Sequence, residues 1–244
     1  MAELKEGFID IHSHILPSVD DGSKGLRQSL RMAQIAYQEG IREIIVTPHN
    51  HPGRHMKMAS INRILEKMEL LQRKLNAEQI PIRLYSGSEL FYRKDLGREL
   101  EEGKVLTLLD TQHILVEFDP NHSVDYIRAG LLELISLGYD PVLAHVERYD
   151  RLFDDPEDLF QIKDYGVDFQ VNCGSLLAAV TSSYRKRSRF LLKENIIDMV
   201  ATDCHSDGAR APRMLECAAF LEKKVGIKRA QQLLIENPTK FMLD

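Results

Sequence analysis

Seven short β-rich runs recur along the 244-residue chain, each separated from the next by a stretch with helical periodicity. They are FIDIH (8–12), EIIVTPH (43–49), IRLYSGSE (82–89), HILVEFD (113–119), DPVLAHV (140–146), DFQVNC (168–173) and IDMVATDCH (197–205). Between the first two lies SKGLRQSLRMAQIAYQEG, with Leu26, Leu30, Ala33 and Ile35–Ala36 near helical spacing and Gly40 as a natural stop. INRILEKMELLQRKL is amphipathic in the same way, and SVDYIRAGLLELISLG runs from a candidate cap at Ser123 to Gly138. PEDLFQIKDYG and SRFLLKEN fill the later gaps. Strand then helix, repeated, reads as βα units around a parallel sheet. Seven units without a composition break favour a closed or nearly closed barrel over an open sheet, which gathers ligands at one switch point only. The expectation is an α/β fold, a distorted (β/α)7 TIM-like barrel, in one domain over residues 1–244.

Bulk numbers narrow the function classes. Hydrophobic residues make up 43% and charged residues 28%, as in ordinary globular proteins. A net charge of −5 argues against a nucleic-acid binder, which needs a basic excess. No apolar run approaches the roughly 20 residues that span a bilayer, and MAELKEGFID does not resemble a signal peptide, so membrane insertion is not expected. Cys173, Cys204 and Cys217 are odd in number and widely spaced, which suits a reducing cytoplasm better than a disulfide framework.

Most of the seven runs end in a potential metal ligand: His12 and His14, His49, Glu89, Glu117, His145, then Asp203 and His205. In a (β/α) barrel these C-terminal strand ends converge on one mouth, where such enzymes keep their active sites. Singly, each has a bland explanation. His12 and His14, at i and i+2, share one face of a strand, but one such pair is weak evidence. A lone His49 or His145 is more often a satisfied polar group, and Glu89 or Glu117 could sit in an ion pair. The bland reading must account for every placement separately, whereas one polynuclear site accounts for all of them. Five histidines with several carboxylates suit Mn²⁺, Fe or Zn²⁺, and the donor number exceeds what one ion takes, so two or three divalent ions are expected.

His51 and His55 in NHPGRH fall in a Pro/Gly loop that is more often solvated than functional. His113 begins a strand and His122 precedes a helix, so both read as structural or exposed. SYRKRSR (183–189) reads as a solvated helix face that could also steer an acidic substrate. Arg148 and Arg210 follow His145 and His205 into loops above the mouth, where guanidinium forks match phosphate oxygens. CHSDGAR (204–210) has the Cys-x5-Arg spacing of cysteine-dependent tyrosine phosphatases, but Asp precedes the cysteine and Ala-Pro follows the arginine. Cys204 also alternates with Asp203 and His205 on a strand, so it should point away from both.

DIHSHILPSVDDG, VTPHNH, GSEL, LVEF, AHVERY and ATDCHS together resemble the PHP (polymerase and histidinol phosphatase) superfamily. IDIHSHILPSVDDGS and AHVERY narrow the resemblance to the bacterial metal-dependent protein-tyrosine phosphatases of capsule and exopolysaccharide operons. It runs from about residue 8 to ENPTKF (236–241), nearly the whole chain. The resemblance implies a PHP fold with a manganese-favouring trinuclear site. His12, His14, Glu89 and Asp203 would hold one ion, and Glu89, Glu117 and His145 a second. Asp21, His49 and His205 would hold the third, Asp21 being assigned by family position because spacing does not separate it from Asp20. Arg148 and Arg210 match family arginines near the phosphate. The implied substrate is the tyrosine-rich tail of a membrane-associated tyrosine kinase that controls polysaccharide assembly, and a homo-oligomer is left open. This chain departs from the family with Ser18, where a glycine often precedes VDDG, and Cys204, where alanine is usual.

The expected reaction is phosphomonoester hydrolysis, in which a hydroxide held between two metals attacks phosphorus in line. Phosphotyrosine leaves as a phenol of pKa about 10, which demands less general-acid help than an alkyl alcohol. The rivals are a small-molecule phosphatase of the same superfamily, acting on a substrate such as histidinol phosphate, and a non-catalytic metal-binding module.

Overall fold

The fold follows from where parallel strands lose and regain their hydrogen bonds. A computed structural model describes residues 3–53 and 58–242. Its strands and principal helices follow in chain order: β1 (Phe8–Ser13), α1 (Leu26–Gln38), β2 (Ile41–Val46), β3 (His49–Asn50), α2 (Ile61–Ala77), β4 (Arg83–Tyr85), β5 (Glu89–Phe91) and α3 (Leu96–Glu101). Then come β6 (His113–Glu117), α4 (Val124–Ser136), β7 (Asp140–Leu143), α5 (Pro156–Asp164), β8 (Asp168–Asn172), α6 (Cys173–Leu177), α7 (Ser183–Lys193), β9 (Met199–Ala201), α8 (Leu215–Val225) and α9 (Ile227–Gln231).

Every strand pairing is parallel. Each of the seven β-rich runs contains strand, but the second and third are each broken in two. Pro48, which has no N–H to give a ladder, separates β2 from β3, and Ser86–Ser88 separate β4 from β5. The lower halves stay in the order β1-β2-β4, while the upper halves open the order β3-β5-β6-β7-β8-β9. The sheet curls until its first and last strands meet. Ser13 bridges Cys204, and the His14 N–H donates to the Cys204 carbonyl at 3.0 Å. The Asp203 N–H donates to the His12 carbonyl at 2.9 Å. Below them Asp10 replaces ladder with side chain, accepting from Thr202 N at 2.9 Å and Thr202 Oγ1 at 2.5 Å.

Alternation along the strands divides the core. Inward residues Ile9, Ile11, Ile45, Leu115, Val142, Ala144, Met199 and Ala201 form one cluster. Phe8, Ile44, Val116, Phe169, Val171 and Val200 face outward into the larger cluster shared with helix residues such as Met32, Leu71, Leu131 and Ile162. Each such side chain, fully buried, stabilises by about 1.5–3 kcal/mol. Phe241 joins the inner cluster and meets His113, at the start of β6, edge-on at 5.0 Å, closing the end opposite the histidines. Ser123 caps α4 through Tyr126 N as the sequence predicts, and Gly40 takes a φ of +82° after α1.

Candidate metal centre

A register shift in β1 between Asp10 and Ser13 turns both His12 and His14 inward. Their Nε2 atoms lie 3.2 Å apart in a fully buried setting. Each ring has its other nitrogen engaged by an oxygen: His12 Nδ1 by Gln170 Oε1 at 3.1 Å, His14 Nδ1 by Asp20 Oδ2 at 2.6 Å. Nδ1 is therefore the donor in both rings, and two lone pairs face each other when the rings are neutral. A cation between them relieves that conflict. The donor set therefore fits a metal.

Glu89 Oε2 completes this group at 3.3 Å from His12 Nε2 and 3.4 Å from His14 Nε2. Asp203 Oδ1 sits at 3.6 and 3.4 Å from the same two atoms. The other Glu89 oxygen is 2.8 Å from His145 Nε2, which lies 3.7 Å from Glu117 Oε2. His49 points its two nitrogens different ways: Nδ1 is 2.8 Å from Glu89 and 3.2 Å from Glu117, and Nε2 is 3.4 Å from Asp21. His205 Nε2 approaches Asp21 at 3.3 Å, while its Nδ1 lies 3.0 Å from the Asp203 carbonyl. Among the described residues, donor atoms fall into four overlapping sets, each within 4.8 Å: His14–Asp21–His49–His205, His12–Glu89–His145, His12–His14–Asp203 and His49–Glu89–Glu117. All nine residues picked out as ligands are thus brought together. His12, His14, His49 and Glu89 each belong to two sets, whereas the division that the resemblance implies shares Glu89 alone.

The electrostatics are those of a site built for cations. Burial works to raise the Glu89 carboxyl, but the imidazoles of His12 and His49 hold it well below the usual range. Burial opposes a charged His49, yet Glu89 and Glu117 beside it push it up to about 9. For His14 the Asp20 carboxylate outweighs burial and raises the ring well above an ordinary histidine.

The DDG turn separates two aspartates that spacing leaves equivalent. Asp20 faces inward, accepting from His14 Nδ1, from Gly22 N at 3.0 Å and from His49 N at 3.1 Å. Asp21, with a half-exposed side chain, faces His49 and His205. Gly22 makes the turn feasible, because a Cβ there would lie 2.1 Å from the His14 carbonyl oxygen. Ser18 has a φ of +57°, a region that glycine enters freely.

Arg148 follows His145 in a single 3₁₀ turn, Val146–Arg148, and Arg210 lies in the loop after β9. Arg148 Nη2 donates to Asp203 Oδ2 at 2.6 Å, while Arg210 Nη2 donates to the Asp203 carbonyl at 3.0 Å and pairs with the same Oδ2 at 2.8 Å, so the two are organised by one buried aspartate. The two arginines, Asp203, Asn172 and Tyr184 line a cavity of about 300 Å³. His145 and Asp203 have left-handed backbones, with φ of +34° and +50°, a strain typical of functional positions. Cys204 turns away as alternation predicts: it is fully buried, its Sγ is 3.1 Å from Ser13 Oγ, and burial pushes the thiol up to about 12. That is no setting for a thiolate nucleophile.

Other residues fall outside the cluster. His51 packs at a tilt against Phe91 with ring centroids 3.8 Å apart, His122 lies 4.3 Å from the Tyr126 ring, and His55 is outside the described residues. The basic run on α7 is less free than a solvated face: Arg187 pairs with Asp150, and Arg189 binds the Leu176 carbonyl. Sequence reasoning missed Gln170, Asn172 and Glu147, all buried beside the site. The available signal was polar alternation in DFQVNC, whose inward positions are Asp168, Gln170 and Asn172.

A curled parallel sheet whose strand ends gather histidines and carboxylates defines the class, an α/β protein with a metallohydrolase-like mouth. Within that class the chain belongs to the CpsB/CapC family of capsular polysaccharide synthesis, whose sequence profile matches residues 8–243. Tyrosine-protein phosphatase CpsB of Streptococcus pneumoniae is 32% identical over 244 residues, covering 97% of this chain and 99% of that protein. Tyrosine-protein phosphatase YwqE of Bacillus subtilis is 33% identical, covering 96% and 94%. A crystal structure from work on YwqE and CpsB, described as metal-dependent tyrosine phosphatases, superposes with a TM-score of 0.83 at 32% identity, covering 96% of this chain and 91% of that one. An organophosphorus hydrolase variant from Deinococcus radiodurans shares the fold alone, at 12% identity and a TM-score of 0.61, covering 99% and 94%.

Proposed function

We propose that this chain is a metal-dependent protein-tyrosine phosphatase of capsule or exopolysaccharide synthesis, acting as one domain built on a distorted (β/α)7 barrel of the PHP type. The observation that carries the reading is the convergence of five histidines and four carboxylates at one end of the sheet, beside two arginines held on one of those carboxylates. Relatives named tyrosine-protein phosphatases, similar over nearly their whole length, support the substrate class.

In this reading His12, His14, Glu89 and Asp203 hold one divalent ion, Glu89, Glu117 and His145 a second, and Asp21, His49 and His205 a third. The nitrogen and carboxylate donors, without thiolate, suit manganese, iron or zinc alike, and it is the family resemblance that favours manganese. When bound, such ions acidify water and neutralise phosphate charge. The chain's own residues do the rest. Asp203 turns one oxygen to the histidines and the other to Arg148 and Arg210, so it fixes the guanidiniums relative to the metal positions. Their remaining N–H groups grip phosphate oxygens. Asp20 keeps the His14 proton on Nδ1. Phenol, of pKa about 10, needs less general-acid help on leaving than an alkyl alcohol, so the lack of an obvious dedicated acid is tolerable. The substrate is the phosphotyrosine-bearing tail of a membrane-associated kinase, met in the cytoplasm. Among the described residues no helix is long and apolar enough to cross a membrane.

Parallel assays of a phosphotyrosine peptide and histidinol phosphate test the substrate class. The reading expects kcat/KM to favour the peptide by at least tenfold; the reverse preference sinks it.

A further inference from the structure

Strand β8 is the odd member of the sheet. β7 leads to His145 and β9 to Asp203, but β8 ends in neither histidine nor carboxylate. Its outward residues Phe169 and Val171 pack in the core, whereas inward Gln170 is fully buried and Asn172 nearly so. Buried carboxamides are costly unless satisfied. Here their hydrogen bonds run between site residues on both sides.

The polarity of that network can be fixed from one end. The His145 backbone N–H, which can only donate, lies 2.9 Å from Gln170 Oε1. The oxygen assignment follows, and the same oxygen faces His12 Nδ1 at 3.1 Å, so His12 donates there and leaves Nε2 with its lone pair. Gln170 Nε2 must then donate to Asn172 Oδ1, at 2.8 Å. Asn172 Nδ2 in turn donates to Asp203 Oδ2, also at 2.8 Å. That oxygen is the one shared with Arg148 and Arg210. The Asn172 backbone N–H is held by buried Glu147 at 3.1 Å, which steadies the end of the relay. Each link of the relay pairs a donor with an acceptor.

We propose that Gln170 and Asn172 are positioning residues: Gln170 locks His12 in the tautomer that presents Nε2 to a cation, and Asn172 ties Asp203 with its two arginines to the same frame. The inference rests on the metal-centre reading of the mouth. It gives β8 a function that its lack of ligands conceals. The histidine half and the arginine half of the site are registered to each other through two side chains at i and i+2 of one strand. Partners of this kind, behind metal ligands, are commonly worth 10–100-fold in metal affinity.

The test compares Gln170→Leu with Gln170→Glu in zinc-loaded protein, reading the His12 ring by ¹⁵N-resolved NMR and cation affinity by chelator competition with Zn²⁺ and Mn²⁺. In the unaltered protein His12 is expected to show an Nδ1–H resonance sheltered from exchange. Gln170→Leu should lose that shelter and bind the cations roughly 10–100-fold more weakly. Gln170→Glu keeps an oxygen acceptor for His12 and should retain both properties to within severalfold. The inference is overturned if His12 coordinates through Nδ1 in the unaltered protein, a result that needs no variant to fold. It is overturned equally if folded Gln170→Leu binds as the unaltered protein does, or if Gln170→Glu falls as far as Gln170→Leu. An unaltered protein that binds neither cation defeats the metal-centre reading itself, and a normal affinity with the wrong tautomer defeats only this inference.

Discussion

At the scale of single residues, the site rests on which nitrogen carries which proton. His12→Ala removes an Nε2 shared by two of the donor sets, so metal content and turnover should fall together; full activity with metal retained contradicts the assignment. His49 sets a pH dependence. Its folded value is raised from 6.5 to about 9, so in metal-free protein its ion pairs stabilise the fold fully below about pH 6.5 and are lost as pH rises through 9. A cation must displace that proton. Metal affinity should therefore rise from pH 6.5 to pH 9, with proton release on binding at neutral pH. Calorimetry in two buffers of different ionisation enthalpy measures the release, and its absence contradicts the argument. Cys204→Ala should keep turnover within about threefold, because the thiol lies against Ser13 on the far side of the strand, outside the ligand cluster. Candidate site residues were legible where a conspicuous side chain stands at or just beyond the end of a β-rich run, as His12, His14, Glu89 and Asp203 do. Gln170 and Asn172 were not, since neutral amides have many structural uses and only the fold shows which groups they join.

At the scale of elements, the DDG turn after β1 carries the sharpest consequence. Gly22→Ala places a methyl group against the His14 carbonyl, so the turn must move and take Asp20 and Asp21 with it. The expected result is weaker metal binding by about tenfold or more, in keeping with lost second-layer support, and a smaller loss of thermal stability. Unchanged affinity shows that the turn is not needed to hold Asp21. The sequence announced seven β-rich runs and most of the helices between them. It did not announce that Pro48 and Ser86–Ser88 divide two runs, because a break in hydrogen bonding is decided by which neighbour each half reaches. Nor did it place α3, α8 or the tail that brings Phe241 beneath the inner core, where helical periodicity is short and the packing partners are remote in sequence.

For the whole molecule, curling the sheet separates stability from chemistry. The apolar inner cluster and Phe241 lie toward one end, and the histidines and carboxylates gather at the other. Phe241→Ala should cost about 3–5 kcal/mol in denaturant unfolding while leaving the turnover of folded protein close to normal. An equal loss of both contradicts this division. The overall parallel architecture was readable from alternation alone, because it depends on period and order rather than on any single contact. Phosphotyrosine hydrolysis should depend on cations held at that mouth. The most direct test of that dependence is elemental analysis of the purified protein paired with turnover of a phosphotyrosine peptide, before EDTA dialysis, after it, and after readdition of Mn²⁺, Fe²⁺ or Zn²⁺. Two to three ions per chain, activity lost with them and restored by at least one metal, is the predicted result. Undiminished activity in protein shown to be free of metal contradicts the account.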